Sequence, residues 1–162
     1  MTFSPVNVSN NILKRAFEDD VSVSPMKLQK LLYFVASEYS KRTGKPLLNE
    51  PFLAWDYGPV VRSVYDEFRS FGAAPIKAYA KDAAGRSKMI KESKDEALRV
   101  SLDLIWNQAK VLSGLQLSRI THADGSAWYK TFQKSRSGAI PDSDLHEDET
   151  YYAHLGLDRG RK

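Results

Sequence analysis

The sequence predicts a mainly α fold: a single compact multi-helix domain over residues 1–162 with a minor short extended or β component. Three observations carry this. Apolar residues recur at three- and four-residue spacing through most of the chain. Helix-starting Ser and Pro and helix-ending Gly stand at the edges of those segments. The length of 162 residues suits one core, with no internal repeat or low-complexity linker to divide it.

Taken in order, Val8, Ile12, Leu13, Ala16 and Phe17 predict a first helix over about residues 6–19, with Asn7 or Ser9 available to cap it. An extended link at Val21–Val23 follows. Ser24 then offers an N-cap hydroxyl and Pro25 occupies the first helical position, where its missing N–H has no consequence. Leu28, Leu31, Leu32, Val35 and Tyr39 form the apolar stripe of this second helix, which ends at Gly44 after Lys41 and Arg42. The other sides carry Lys27, Gln29, Lys30, Tyr33 and Glu38, expected to face away from the core. Residues 45–59 hold three prolines and a glycine, so they predict turns with at most a short strand at Phe52–Tyr57.

Pro59 is placed at the start of a third helix striped by Val60, Val61, Val64, Tyr65, Phe68 and Phe71 up to Gly72. An extended stretch and an exposed basic loop lead to Ser93 and Glu96, whose spacing is that of a capping box. The helix they open, through Leu112, has apolar residues on several faces and is expected to be central. Shorter helices are predicted over 115–122, over 126–133 with Trp128 and Phe132 inward, and over 142–154, docked loosely; Ile140 is an extended anchor, and 156–162 reads as a frayed tail.

Composition is that of an ordinary soluble protein, 42% hydrophobic and 27% charged, and no apolar run reaches the roughly 20 residues of a membrane span. The N-terminal residues show no secretion signal and the chain has no cysteine, which together predict a cytoplasmic location and exclude disulfides and thiolate chemistry. The net charge of +4 concentrates at Lys77, Lys81, Arg86, Lys88, Lys91 and Lys94. That region is either a solvated face or a nucleic-acid contact. Asp142, Asp144, Glu147, Asp148 and Glu149 form an acidic block. His146 and His154 within and after it lack zinc-ligand spacing, so neither metal nor cofactor is predicted.

The stretch P-M-K-L-Q-K-L-L-Y, the connection T-G-K-P-L-L-N-E-P-F with A-W-D-Y-G-P-V-V, and the continuation V-Y-D-E-F resemble the Panacea domain, also described as the SocA-like or phage-associated GepA-like domain of bacteria and their mobile genetic elements. The resemblance is strongest over residues 24–71 and weaker over 93–155, where Thr121, His122 and Trp128 match a T-H element upstream of a tryptophan; Ala127 stands where relatives often have proline. It implies a mainly helical antitoxin of a toxin–antitoxin system that neutralises a cognate protein toxin by direct binding. One branch delivers its toxin to a protease as an adaptor.

The candidate partner-binding residues are therefore Lys27, Gln29, Lys30 and Tyr33, free of the apolar stripe, with Trp55 and Tyr57 beside them. Each also reads as structural: a solvated helix face for the first four, a wedge locking the turn for the two aromatics. Ser24, Pro25, Leu28, Leu31, Leu32, Gly58, Pro59 and Val60 are assigned to the framework. His122 is assigned to holding a turn through backbone, against Trp128, since no nucleophile, second histidine or paired carboxylate accompanies it. No catalytic residue is predicted. Oligomeric state has no signal in the sequence.

Overall fold

A computed structural model describes residues 2–157. Helix α1 (Pro5–Asp19) starts with Pro5 in its first turn after Ser4, one turn before the polar residues expected to cap it; the Ser9 hydroxyl instead donates back to the Pro5 carbonyl. Helix α2 (Pro25–Thr43) begins and ends where predicted. Ser24 Oγ accepts from the Lys27 amide at 3.2 Å, and Gly44 closes the helix in the left-handed conformation (φ 72°).

Strands β1 (Leu53–Trp55) and β2 (Gly58–Val60) form an antiparallel hairpin in which Ala54 faces Pro59. Pro59 is thus in a strand, not at a helix start. A third strand-like contact covers the outer edge of β1, where the Ile140 amide donates to the Phe52 carbonyl and Gly138 accepts from Ala54. Helix α3 (Arg62–Phe68) opens three residues later than predicted and tightens into a 3-10 turn at Arg69–Phe71.

Helix α4 (Glu96–Ala109) is capped by Asp95, whose carboxylate accepts from the Leu98 amide at 3.1 Å; Ser93 lies in a preceding 3-10 turn. The cap lies two residues after the expected Ser93, and the Tyr39 hydroxyl, which donates to the other Asp95 oxygen at 3.0 Å, anchors it. Helices α5 (Gly114–Thr121) and α6 (Ala127–Lys134) follow, the first with a complete Ser113/Gln116 capping box and the second capped by Ser126. The single C-terminal helix expected over 142–154 is two, α7 (Asp142–Glu147) and α8 (Tyr152–Leu155), separated at Asp148. Their docking is close: Leu145, Tyr151, Tyr152 and Leu155 are buried, and Leu157 with them. The rest of the expected tail, 158–162, lies outside the described residues.

The central element is α2, not α4. Helices α1, α3, α4, α5 and α7 and strand β2 pack around it, and every residue from Lys27 to Ser40 is buried. A helix enclosed in this way has no solvent face, so its polar side chains must find partners inside the protein.

Candidate functional site

The hairpin turn is a three-residue ladder on each side, too short to be stable alone. Side chains from three helices hold its backbone. Trp128 Nε1 donates to the Trp55 carbonyl at 2.7 Å, His122 Nε2 to Asp56 at 3.0 Å, and Ser118 Oγ to Tyr57 at 2.6 Å. From α2, Lys30 Nζ donates to the Pro59 carbonyl at 3.1 Å. Gln29 makes both bonds to Val61, accepting from its amide at 2.9 Å and donating to its carbonyl at 3.1 Å. His122 also stands edge-on to Trp128, 4.1 Å between ring centroids.

Gly58 makes this closeness feasible. Its φ of +113° disfavours a side chain, and a Cβ there would meet Thr121 Oγ1 at 2.6 Å and Lys30 Cε at 2.9 Å. The glycine is the space into which the lysine stem passes.

The four polar residues of α2 are not a solvated face. Lys27, Gln29, Lys30 and Tyr33 are all buried. Lys27 Nζ donates to the Lys110 carbonyl at the C-terminal end of α4, where positive charge is favourable. The Tyr33 hydroxyl donates to Asp148, whose carboxylate also accepts from the Ala127 and Thr150 amides and the Thr150 hydroxyl. Burial, then the Asp148 charge, pushes the Tyr33 hydroxyl well above its ordinary range. Leaving the apolar stripe did not mean facing water, because other helices and the hairpin cover that side.

Gln29, Lys30, Trp55 and Tyr57 nevertheless come together. With Tyr65 and Arg69 they line an open cavity of about 510 Å³ between the start of α2, the hairpin turn and α3. Trp55 is half-buried and packs edge-on to Tyr65 at 5.0 Å, with the Arg62 guanidinium over its ring. Tyr57 is 66% exposed at the turn's tip. Lys30, 1% exposed, has the Pro59 carbonyl as its one hydrogen-bond partner among the described residues, and no carboxylate pairs with it. Burial alone lowers its pKa from 10.5 to about 7.

Residues 28–129 match the model of the family described as antitoxin SocA-like, Panacea domain. The chain belongs to that family. It is also 32% identical over 124 residues to antitoxin SocA of Caulobacter vibrioides (strain NA1000 / CB15N), an alignment covering 75% of this chain and 66% of that relative, slightly under two thirds of its length. No solved structure matches the chain. The matched Panacea segment contains every hairpin-holding side chain named above, from Gln29 and Lys30 to Trp128, and the turn they fix.

Two features of this Panacea domain escaped sequence reasoning. One is Asp148, read only as part of an acidic block but buried as the shared acceptor beneath α2 and α6. The other is a polar cluster joining α1 to α4, in which Arg15 pairs with Glu92 at 2.6 Å and Asp103 at 2.8 Å while Asn11 donates to Glu92. The all-round burial of α2 did have a signal: Tyr33, Phe34 and Ala36 extend the stripe to the remaining faces. Among the described residues no group of three or more His, Asp and Glu side chains is placed to hold a metal ion, and no helix is long and apolar enough to cross a membrane. The basic residues from Lys77 to Lys94 are exposed, with Lys88 near Asp82 at 3.3 Å.

Proposed function

We propose that the protein is an antitoxin that neutralises a cognate protein toxin by binding it directly, with the hairpin turn and its cavity as the contact. Membership of the Panacea family carries the antitoxin reading. The contact is assigned from one structural observation: an exposed tyrosine, a half-buried tryptophan and a cavity stand together on a turn whose backbone is tied by side chains from α2, α5 and α6. Aromatic anchors held rigidly before binding lose little conformational entropy when a partner arrives, which is what hot spots require.

In this reading Trp55 and Tyr57 meet the toxin, Gln29 and Lys30 form the wall behind them, and Lys27 and Tyr33 act from beneath by fixing α2 against α4 and Asp148. Binding blocks the toxin sterically and requires no chemistry from this chain. Co-expression with the product of the adjacent gene tests it. Growth rescue together with co-purification is expected, and Tyr57→Ala with Trp55→Ala should weaken both while leaving the fold intact. Loss of neither overturns the contact; absence of rescue by the unaltered chain overturns the function. A toxin whose half-life shortens on co-expression would instead indicate delivery to a protease.

A further inference from the structure

The cavity beside the hairpin turn holds an ammonium group that the fold leaves under-used. Lys30 is buried, yet its three N–H donors have one acceptor among the described residues, the Pro59 carbonyl. Buried charges are ordinarily paired, since the loss of hydration is large. Among the described residues no acidic side chain does so. The charged residues lining the cavity are Lys30 and Arg69, both cationic, and Asp56, which is exposed and lies in the turn. The other titratable groups facing it are the hydroxyls of Tyr57 and Tyr65; β2 and the start of α2 add Val60, Pro25 and Met26, and His122 and Thr121 of α5 approach the turn from its other side. The space therefore combines an apolar rim, three aromatic side chains and a desolvated cation with no counter-ion among the described residues.

We propose that this cavity is the socket for an acidic side chain of the toxin, an aspartate or glutamate carried next to an apolar residue. The carboxylate meets Lys30 and the apolar neighbour packs on Trp55 and Tyr57. The partner's identity as a toxin rests on the antitoxin reading above; the chemistry of the socket does not. An incoming carboxylate completes an ion pair already half desolvated, so the cost of stripping water from the cation is met in folding. Lysine at about 7 is partly neutral near physiological pH, so the pair forms at the expense of proton uptake, and binding weakens as the medium becomes alkaline.

The test uses the full chain and 3-phenylpropionate as the probe, an aryl group bearing a carboxylate, with 3-phenylpropionamide as its neutral counterpart. Binding is followed by the chemical shift of the Lys30 side chain in lysine-labelled protein. The carboxylate should bind at least tenfold more tightly at about pH 6 than at about pH 9, because only the charged lysine is competent. The amide should bind weakly at both. Lys30→Met, whose fold is checked by circular dichroism, should lose the preference for the carboxylate, and Lys30→Arg, which stays charged, should keep binding without the pH dependence. Equal binding of acid and amide by the unaltered chain, or pH-independent binding of the acid, overturns the proposal with no variant required. In co-expression, Lys30→Met that is folded and neutralises the toxin as well as the parent overturns the socket and leaves the antitoxin function standing. A parent chain that binds the carboxylate but rescues no toxin overturns the function and leaves the socket.

Discussion

Replacing Lys30 with methionine should change how stability depends on pH, by an amount that follows from its burial. The folded pKa of Lys30 is about 7 against an ordinary 10.5. Between those values the unfolded chain binds the proton and the folded chain does not, so stability rises with pH across that window. Each pH unit is worth about 1.4 kcal/mol, so going from about pH 6.5 to about pH 9.5 should stabilise the parent by roughly 3 kcal/mol through this group. Methionine keeps the stem between Gly58 and Thr121 but removes the titration. It also leaves the Pro59 carbonyl without its donor, a cost of about 1–3 kcal/mol that does not vary with pH. The parent-minus-variant difference, from urea unfolding followed by tryptophan fluorescence, should therefore climb by roughly 3 kcal/mol over that range. Other titrating groups cancel in the difference. A difference that stays flat to within about 0.5 kcal/mol would refute the claim that the lysine is held unpaired out of water.

Gly58→Ala places a Cβ at 2.6 Å from Thr121 Oγ1 and 2.9 Å from Lys30 Cε at a φ of +113°. Backbone strain and the displaced lysine together should cost about 3–5 kcal/mol in urea unfolding, and a loss under about 1 kcal/mol would contradict the packing. Asp148→Ala strands the Tyr33 hydroxyl and the Ala127 amide in the interior; a loss of about 3 kcal/mol is expected, with Asp148→Asn intermediate. For Glu92, burial pushes the carboxyl up, but hydrogen bonds from Arg15 and Asn11 and the Arg15 charge outweigh it, leaving the pKa below 4.5. Its contribution is present above that value and fades as pH falls through the lower folded pKa, so Glu92→Gln should cost about 1–2 kcal/mol at neutral pH and little in acid. Asn11→Ala removes the bonds to both the amide and the carbonyl of Ile90, and limited trypsin digestion should then cut faster at Lys88 or Lys91, with unchanged rates counting against this anchor.

Where a segment's structure depends on its immediate neighbours, the sequence was legible. Ser24, Pro25 and Gly44 delimit α2 because capping and left-handed closure involve residues at most four apart. Ser126 likewise marks the start of α6. Local chemistry became ambiguous where one residue type serves two structures. Proline suits the first turn of a helix and also a short strand whose amide is not needed, so Pro59 pointed to the wrong element until Ala54 was seen to face it. Ser93 was expected to cap α4, whereas Asp95, anchored by Tyr39 from a different helix, does so.

The candidate site was legible in composition and misread in exposure. Trp55 and Tyr57 stand at an accessible turn, and Gln29 and Lys30 line the same cavity. The same four residues of α2 that were taken for a water-facing flank are inside, because polar side chains off an apolar stripe meet water only when nothing else packs there. The acceptors that make their burial tolerable lie 83 residues away for Lys27, 32 for Gln29, 29 for Lys30 and 115 for Tyr33. No periodicity reports a partner at that distance.

By itself, then, the sequence determined the helical class, the ends of α2, α5 and α6 within a residue or so, and the resemblance to the Panacea family, since each depends on local spacing or on residue identity. Tertiary structure alone decided which polar residues are buried, that α2 is enclosed on every side, and that the passage left by Gly58 admits a lysine with no counter-ion among the described residues. The physical reason is that burial and pairing are set by what folds over a residue, and here the covering elements come from distant parts of the chain.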